Sequence, residues 1–146
     1  MPDEKPAINH ALLEIQVPDF VTVKKFYSKL GFQKIWERQP EGFKGYLIMR
    51  LEDNILCFWG GNEHAYEQEY FKKFSKNATR GIGMEIVLMV KGIEKYFEKI
   101  KSHVEIFETL QKRPWGLKDF RVVDPFGFYL RFTSQHNILD PKYAVK

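Results

Sequence analysis

The stretch that decides the fold is Pro114-Trp115-Gly116-Leu117-Lys118-Asp119-Phe120-Arg121-Val122-Val123-Asp124-Pro125-Phe126-Gly127-Phe128-Tyr129-Leu130-Arg131-Phe132. It reads as a hairpin, two apolar-aromatic arms pinned around Asp-Pro-x-Gly. Asp can bond the backbone that follows it, Pro presets φ for a turn, and Gly127 can take the positive φ that closes one. The arms are rich in Phe, Val, Tyr and Leu, which suit a pleated, half-buried surface. A hairpin of this kind is expected to line part of whatever site the chain carries.

Working back from it, residues 104–110 read as a strand, and Ile93, Tyr96, Phe97 and Ile100 as the apolar stripe of a helix. Residues 84–90 read as a strand that Lys91-Gly92 breaks. The same order occurs earlier in the chain. Leu13, Ile15 and Val17 alternate with Leu12, Glu14 and Gln16, the period of a strand with two distinct faces. Asp19 is placed to cap a helix carrying Phe20, Val23, Phe26, Tyr27 and Leu30, and Gly31 to end it. Residues 32–38 and 46–51 read as strands around a Gln39-Pro40-Glu41-Gly42 turn, and 55–59 as an apolar strand that Gly60-Gly61 ends. Between the two halves, Tyr66, Tyr70, Phe71 and Phe74 suggest a connecting helix, followed by a polar linker through Gly81.

The pattern is βαβββ twice. Leu12 falls on Glu85 and Phe20 on Ile93 at an offset of 73, and Cys57 on Arg131 at 74. The expected fold is α+β, two βαβββ repeats forming curved mixed sheets around a cleft, in a single domain 1–146. Repeat one spans about 8–60, a connecting segment 61–81, repeat two about 82–133 and a C-terminal tail 134–146. Each repeat has one helix to cover one sheet face. The opposite faces must meet across a cleft or be covered by a partner subunit.

At 146 residues, 44% hydrophobic and 16% aromatic, the chain can bury a substantial core. No run reaches the roughly 18 apolar residues of a membrane span, and the charged Met-Pro-Asp-Glu-Lys-Pro start lacks the apolar centre of a signal peptide. A cytoplasmic, non-membrane protein is expected. A single cysteine, Cys57, excludes an intrachain disulfide and a Cys-cluster zinc site. The net charge of +4 is spread over lysines that alternate with glutamates, which argues against a nucleic-acid surface.

Val17-Pro18-Asp19, Phe26-Tyr27-Ser28-Lys29-Leu30-Gly31-Phe32, Trp115-Gly116 and Asp124-Pro125-Phe126-Gly127 together resemble the vicinal oxygen chelate superfamily of glyoxalases, extradiol dioxygenases, fosfomycin-resistance enzymes and bleomycin-resistance proteins. The resemblance covers about residues 8–133. It implies a fold that hosts several chemistries and some non-enzymes. Its metalloenzymes carry His or Glu at four matched strand positions, which here are Leu12, Cys57, Glu85 and Arg131. Leucine has no donor atom and arginine no lone pair. Only Glu85 is an ordinary ligand for a hard cation, so neither a metal nor another cofactor is expected. His10 would enter the set only with a two-residue register shift, which repairs one position of those missing.

The resemblance puts Leu12, Glu14, Gln16, Ile55, Cys57, Trp59, Glu85, Val87, Met89, Tyr129, Arg131 and Thr133 on the concave face. The candidate ligand-binding residues are Glu14, Cys57, Trp59, Glu85, Met89, Trp115 and Arg131; no catalytic residue is assigned. Glu85 and Arg131 read either as an ion pair filling the metal position or as ligand contacts. Glu14 needs a partner, and Arg131 is the one to test. His64, His103 and His136 lie in polar segments and read as solvated. The expected function is that of a metal-free homodimer of the bleomycin-resistance kind, binding or sequestering a small aromatic or anionic compound. The alternative is a metal-dependent lyase, isomerase or dioxygenase of the same superfamily, or a metal-free enzyme using Glu85 or Glu14 as base.

Overall fold

The structure, a computed structural model, describes residues 11–39, 45–60, 67–75 and 77–144. The first repeat comprises β1 (Glu14–Gln16), α1 (Phe20–Lys29), β2 (Gln33–Arg38), β3 (Tyr46–Leu51) and β4 (Asn54–Trp59). The second comprises β5 (Glu85–Val90), α2 (Ile93–Ile100), β6 (Glu108–Lys112), β7 (Lys118–Val123) and β8 (Tyr129–Ser134). Their sheets have the same order, β1-β4-β3-β2 and β5-β8-β7-β6, with the first strand of each parallel to the last. The register repeats as well. Glu14 stands opposite Cys57 in one sheet and Val87 opposite Arg131 in the other, as the offsets of the sequence repeat require.

Local chemistry sets the boundaries. Asp19 accepts a 2.7 Å hydrogen bond from the Thr22 amide and starts α1. Leu30 ends that helix, and Gly31 follows with φ +94°, where a side chain would be strained. The Asp124–Phe128 turn forms as its composition demands. Asp124 Oδ1 accepts from the amides of Phe126 at 2.9 Å and Phe128 at 2.8 Å, and Gly127 takes φ +102°.

One core serves both repeats. Ile15, Val17, Leu56 and Phe58 of the first sheet and Ile86, Leu88, Leu130 and Phe132 of the second belong to the same buried cluster, together with Phe20, Val23 and Tyr27 of α1 and Ile93 and Ile100 of α2. Each buried aliphatic or aromatic side chain contributes roughly 1.5–3 kcal/mol. Polar bonds cross the same junction: Tyr96 Oη donates to the Leu30 carbonyl at 2.6 Å, and Asn54 Nδ2 to that of Met89 at 2.8 Å. Glu52, held at φ +52° in the β3–β4 turn, accepts from the Lys91 amide at 3.0 Å.

The faces turned away from this core are only partly covered by the described residues. Glu14, Glu85 and Val87 are exposed, and Leu12 is 64% and Trp36 46% exposed. Both alternatives for those faces, a cleft or a covering partner, therefore concern a surface that the described residues leave partly open.

Two expected elements differ. Among the described residues 67–75 there is no α-helix, only a single 3-10 turn, Phe71–Lys73. Tyr70, Phe71 and Phe74 pack on one another and on Trp59 at the open face of the first sheet, so their spacing reflects a surface aromatic cluster. Tyr66 lies outside the described residues, as does most of the Gln39–Gly42 turn. The strand expected over 104–110 begins only at Glu108. Val104 and Ile106 instead pack sideways against the core, and a register shift between Glu108 and Gln111 leaves the start of β6 irregular.

Candidate functional site

The open face of the second sheet carries a network of charges in place of the expected simple pair. Arg121 Nε donates to Glu85 Oε1 at 2.8 Å, and Arg121 Nη1 lies 3.2 Å from Asp119 Oδ1 and 3.5 Å from Glu108 Oε1. Arg113 Nε donates to Asp119 Oδ1 at 2.8 Å, and Arg113 also bonds Glu108 through Nη2. That bond, against a smaller upward push from burial and with the charges of Arg113 and Arg121 adding to it, holds the Glu108 carboxyl below its usual range. The same bond to Glu108, with one to Asp119, raises Arg113. Asp119 is fully buried, and two buried polar atoms of this face, Asp119 Oδ2 and Arg131 Nε, have no hydrogen-bond partner among the described residues.

Glu85 and Arg131 are thus neighbours, but their closest approach is 3.8 Å, and Glu85 is committed to Arg121. Arg131 Nε is left without an acceptor. Its charge sits 5.9 Å from the ring of Trp115, and both side chains line a recess of about 250 Å³ with Thr133, His136, Ile138 and Tyr143. None of those lining residues is acidic. The reading of His136 as solvated is corrected here. Its Nδ1 bonds the Ser134 carbonyl at 2.8 Å, so that nitrogen carries the proton, and its ring stands edge-on to Tyr143 at 4.9 Å. His103 is exposed, and His64 lies outside the described residues.

On the first sheet, Glu14 does not meet Arg131. It accepts a hydrogen bond from Tyr46 Oη, and Tyr46 stacks on Trp36 with ring centroids 5.6 Å apart. Burial first, and then the bonds to Glu14 and Cys57, push the Tyr46 hydroxyl well above its ordinary value, so it stays protonated as the donor. Glu14 is exposed, which removes the need for a cationic partner. Glu14 and Trp59 line a different cavity of about 280 Å³, whose apolar wall is supplied by Phe71, Phe74, Met84 and Phe128. Cys57 is 4% exposed, and Met89, half-buried, has its carbonyl bonded to Asn54.

The candidate residues therefore fall into two groups. Trp115, Arg131 and Glu85 gather on the second sheet, and Glu14 and Trp59 on the first, with Cys57 inside that sheet. Arg121, Asp119, Glu108 and Arg113 were missed by sequence reasoning. The signal for two of them was present: Asp119, Arg121 and Val123 share one parity of β7, and Arg121 stands opposite Arg131.

The four positions matched to metal ligands do not fit a divalent ion. Leu12 offers no donor, Arg131 no lone pair, and Glu85 is already bonded by a guanidinium. Among the described residues no three His, Cys, Asp or Glu side chains gather in a way that would hold a metal; His10 lies outside them.

Similarity to known proteins agrees with this architecture. The family model of the Glyoxalase/Bleomycin resistance protein/Dioxygenase superfamily matches residues 7–132. A bleomycin-binding protein solved in complex with bleomycin superposes with a TM-score of 0.60 at 19% identity, covering 88% of this chain and 99% of that one. A bleomycin resistance determinant encoded on the transposon Tn5 gives 0.63 at 20% identity, with 88% and 99% covered. A protein of unknown function from Agrobacterium tumefaciens gives 0.65 at 21% identity, with 91% and 98% covered. None of the curated proteins matches the chain in sequence at a significant level. With the family model matching most of its length and the repeated βαβββ register in place, the chain belongs to the Glyoxalase/Bleomycin resistance protein/Dioxygenase superfamily.

Proposed function

We propose that this protein binds a small aromatic or anionic compound without a metal, in the manner of the bleomycin-resistance members of its superfamily. The observation that carries the reading is Arg131. Where a metalloenzyme of the family has a ligand, this chain has a guanidinium that makes no hydrogen bond among the described residues, set beside Trp115 in a recess with no acidic lining. A planar, permanent cation next to an indole ring suits an anion or an electron-rich ring. The neighbouring Arg121 takes the Glu85 carboxylate at 2.8 Å and leaves it only a partial partner of Arg131, at 3.8 Å.

A homodimer is part of the proposal. Leu12, Trp36, Val87 and Val123 leave apolar surface exposed on the open faces of both sheets, and a second copy placed over them would convert those faces into closed clefts. No helix among the described residues is long and apolar enough to cross a membrane. Placement in the cytoplasm belongs to the same proposal.

Tryptophan fluorescence during titration with a panel of aromatic drugs and small anions tests the site. A saturable change with at least one compound, lost in Arg131→Met and reduced in Trp115→Phe, is expected. Affinities unchanged in both variants would place the site elsewhere. Elemental analysis of protein purified without chelator is expected to find no stoichiometric Zn, Ni, Mn or Fe; a stoichiometric metal would favour the metalloenzyme alternative. Sedimentation at micromolar concentration should show a dimer, and a monomer there would remove that part of the proposal.

A further inference from the structure

We propose that the C-terminal tail after β8, residues 135–144, forms one wall of the Arg131 recess and makes it a site for single-ring aromatic carboxylates. The proposal rests on the reading of Arg131 and Trp115 as ligand groups, and adds the class of ligand and the element that selects it.

The recess is built from two sources. Trp115, Arg131 and Thr133 come from the loop before β7 and from β8, whereas His136, Ile138 and Tyr143 come from the chain after β8. The match to the family ends at residue 132, so four of the six lining residues lie beyond it. The tail is held in place by its own bonds. The Gln135 amide reaches the Val90 carbonyl at 3.2 Å, the Asp140 amide the Asn137 carbonyl at 2.9 Å, and Asp140 Oδ1 accepts from the Lys142 amide at 3.0 Å. This last contact starts the 3-10 turn Pro141–Tyr143 and returns Tyr143 to His136.

The chemistry of the lining is one-sided. Arg131 presents a planar fork of N–H donors that matches a carboxylate in two-point geometry. His136 Nε2 and Tyr143 Oη make no hydrogen bond among the described residues and add polar groups at the same recess. The indole of Trp115 and the His136–Tyr143 ring pair supply aromatic walls. A simple inorganic anion would leave those walls unused. Size limits the ring count: about 250 Å³ falls below the roughly 300–1,000 Å³ of pockets for drug-sized molecules. A carboxylate on one ring uses both the cation and the walls.

Isothermal titration of the full chain with benzoate, cyclohexanecarboxylate, acetate and inorganic phosphate tests this, using the wild type, Arg131→Met, His136→Ala and Tyr143→Ala. Circular dichroism confirms that each variant is folded. Benzoate is expected to bind most tightly, to lose binding in Arg131→Met, and to weaken about fivefold in each tail variant through the lost ring contacts. Benzoate binding that needs Arg131 but ignores both tail variants would overturn the role of the tail and leave the site standing. Acetate or phosphate binding as well as benzoate in an Arg131-dependent way would overturn the ligand class. Failure of all four anions, with Arg131-dependent binding of a larger aromatic drug, would overturn the class and keep the site; failure of every compound would sink both.

Discussion

The Tyr27 hydroxyl donates a 2.7 Å hydrogen bond to Asp124 Oδ2, joining α1 of the first repeat to the β7–β8 turn of the second across 97 positions of sequence. Both residues belong to the motifs that carried the family resemblance, so those two motifs are parts of one contact. Asp124 uses its other oxygen to hold the turn, through the amides of Phe126 and Phe128. Burial, reinforced by the Asp124 charge and hydrogen bond, raises the Tyr27 hydroxyl well above its ordinary value and keeps it a donor. The carboxylate thus shapes the hairpin and fastens it to the other repeat.

Tyr27→Phe is expected to destabilise the protein by about 1–3 kcal/mol, because it leaves Asp124 Oδ2 buried without that donor while removing almost no volume. Asp124→Ala removes the same contact and also orphans two turn amides, so it should cost more than Tyr27→Phe. Urea denaturation measures both. A Tyr27→Phe midpoint equal to wild type would show that water replaces the bond.

Gly127 and Gly116 make a controlled pair, since both have positive φ, +102° and +92°. A Cβ at Gly127 would stand 2.5 Å from Thr79 Cγ2 and 3.1 Å from the Arg80 carbonyl, whereas at Gly116 nothing lies within 4 Å. Gly116→Ala is expected to cost about 1–2 kcal/mol from backbone strain alone. Gly127→Ala adds a collision with the connecting segment and should cost clearly more in the same denaturation assay. Equal losses would mean that residues 79–80 yield freely.

The sequence made the regular alternation legible, and with it most of the architecture. Ile15 and Val17 against Glu14, or Ile86 and Leu88 against Glu85 and Val87, were readable because a strand sends neighbours to opposite faces. Phe71 and Phe74 were misread as a helical stripe because spacing does not reveal that a ring will pack on Trp59 at a surface. Arg121 was passed over because its partners Glu85 and Glu108 meet it only through sheet register. His136 and Tyr143 lie in a polar tail whose return to β8 depends on the cap at Asp140, a local device with no periodicity to announce it.

Acid should expose the charge network of the second sheet. The Glu108 pKa is lowered from 4.5, first by its bond from Arg113. A depressed folded-state value means stabilisation that is present above the ordinary pKa and lost as pH falls through the lowered one. Asp124 has the opposite sign: burial, outweighing its hydrogen bonds, raises it from 3.8, so its contribution is present below that value and fades as pH rises through the raised one. Glu108→Gln should therefore lose less stability than wild type between about pH 5 and pH 3. Thermal unfolding across that interval measures it, and parallel wild-type and variant profiles would rule out Glu108 as a source of acid sensitivity.

Glu85→Gln separates the functional readings in a single variant. Glu85 is the one carboxylate bonded to Arg121 at 2.8 Å that also approaches Arg131, at 3.8 Å. If Arg131 is an anion receptor, Glu85 is a partial competitor for its charge, and neutralising it should tighten benzoate binding about two- to fivefold, the scale of a partly exposed ion pair. Stability should fall modestly at the same time, because Arg121 exchanges a charged acceptor for a neutral one. A metalloenzyme would behave otherwise, with stoichiometric metal lost along with Glu85. A metal-free enzyme using Glu85 as its base would lose turnover by several powers of ten without tighter anion binding. Weaker benzoate binding in Glu85→Gln would contradict the receptor reading directly, since it would mean that Glu85 supports the ligand instead of competing with it.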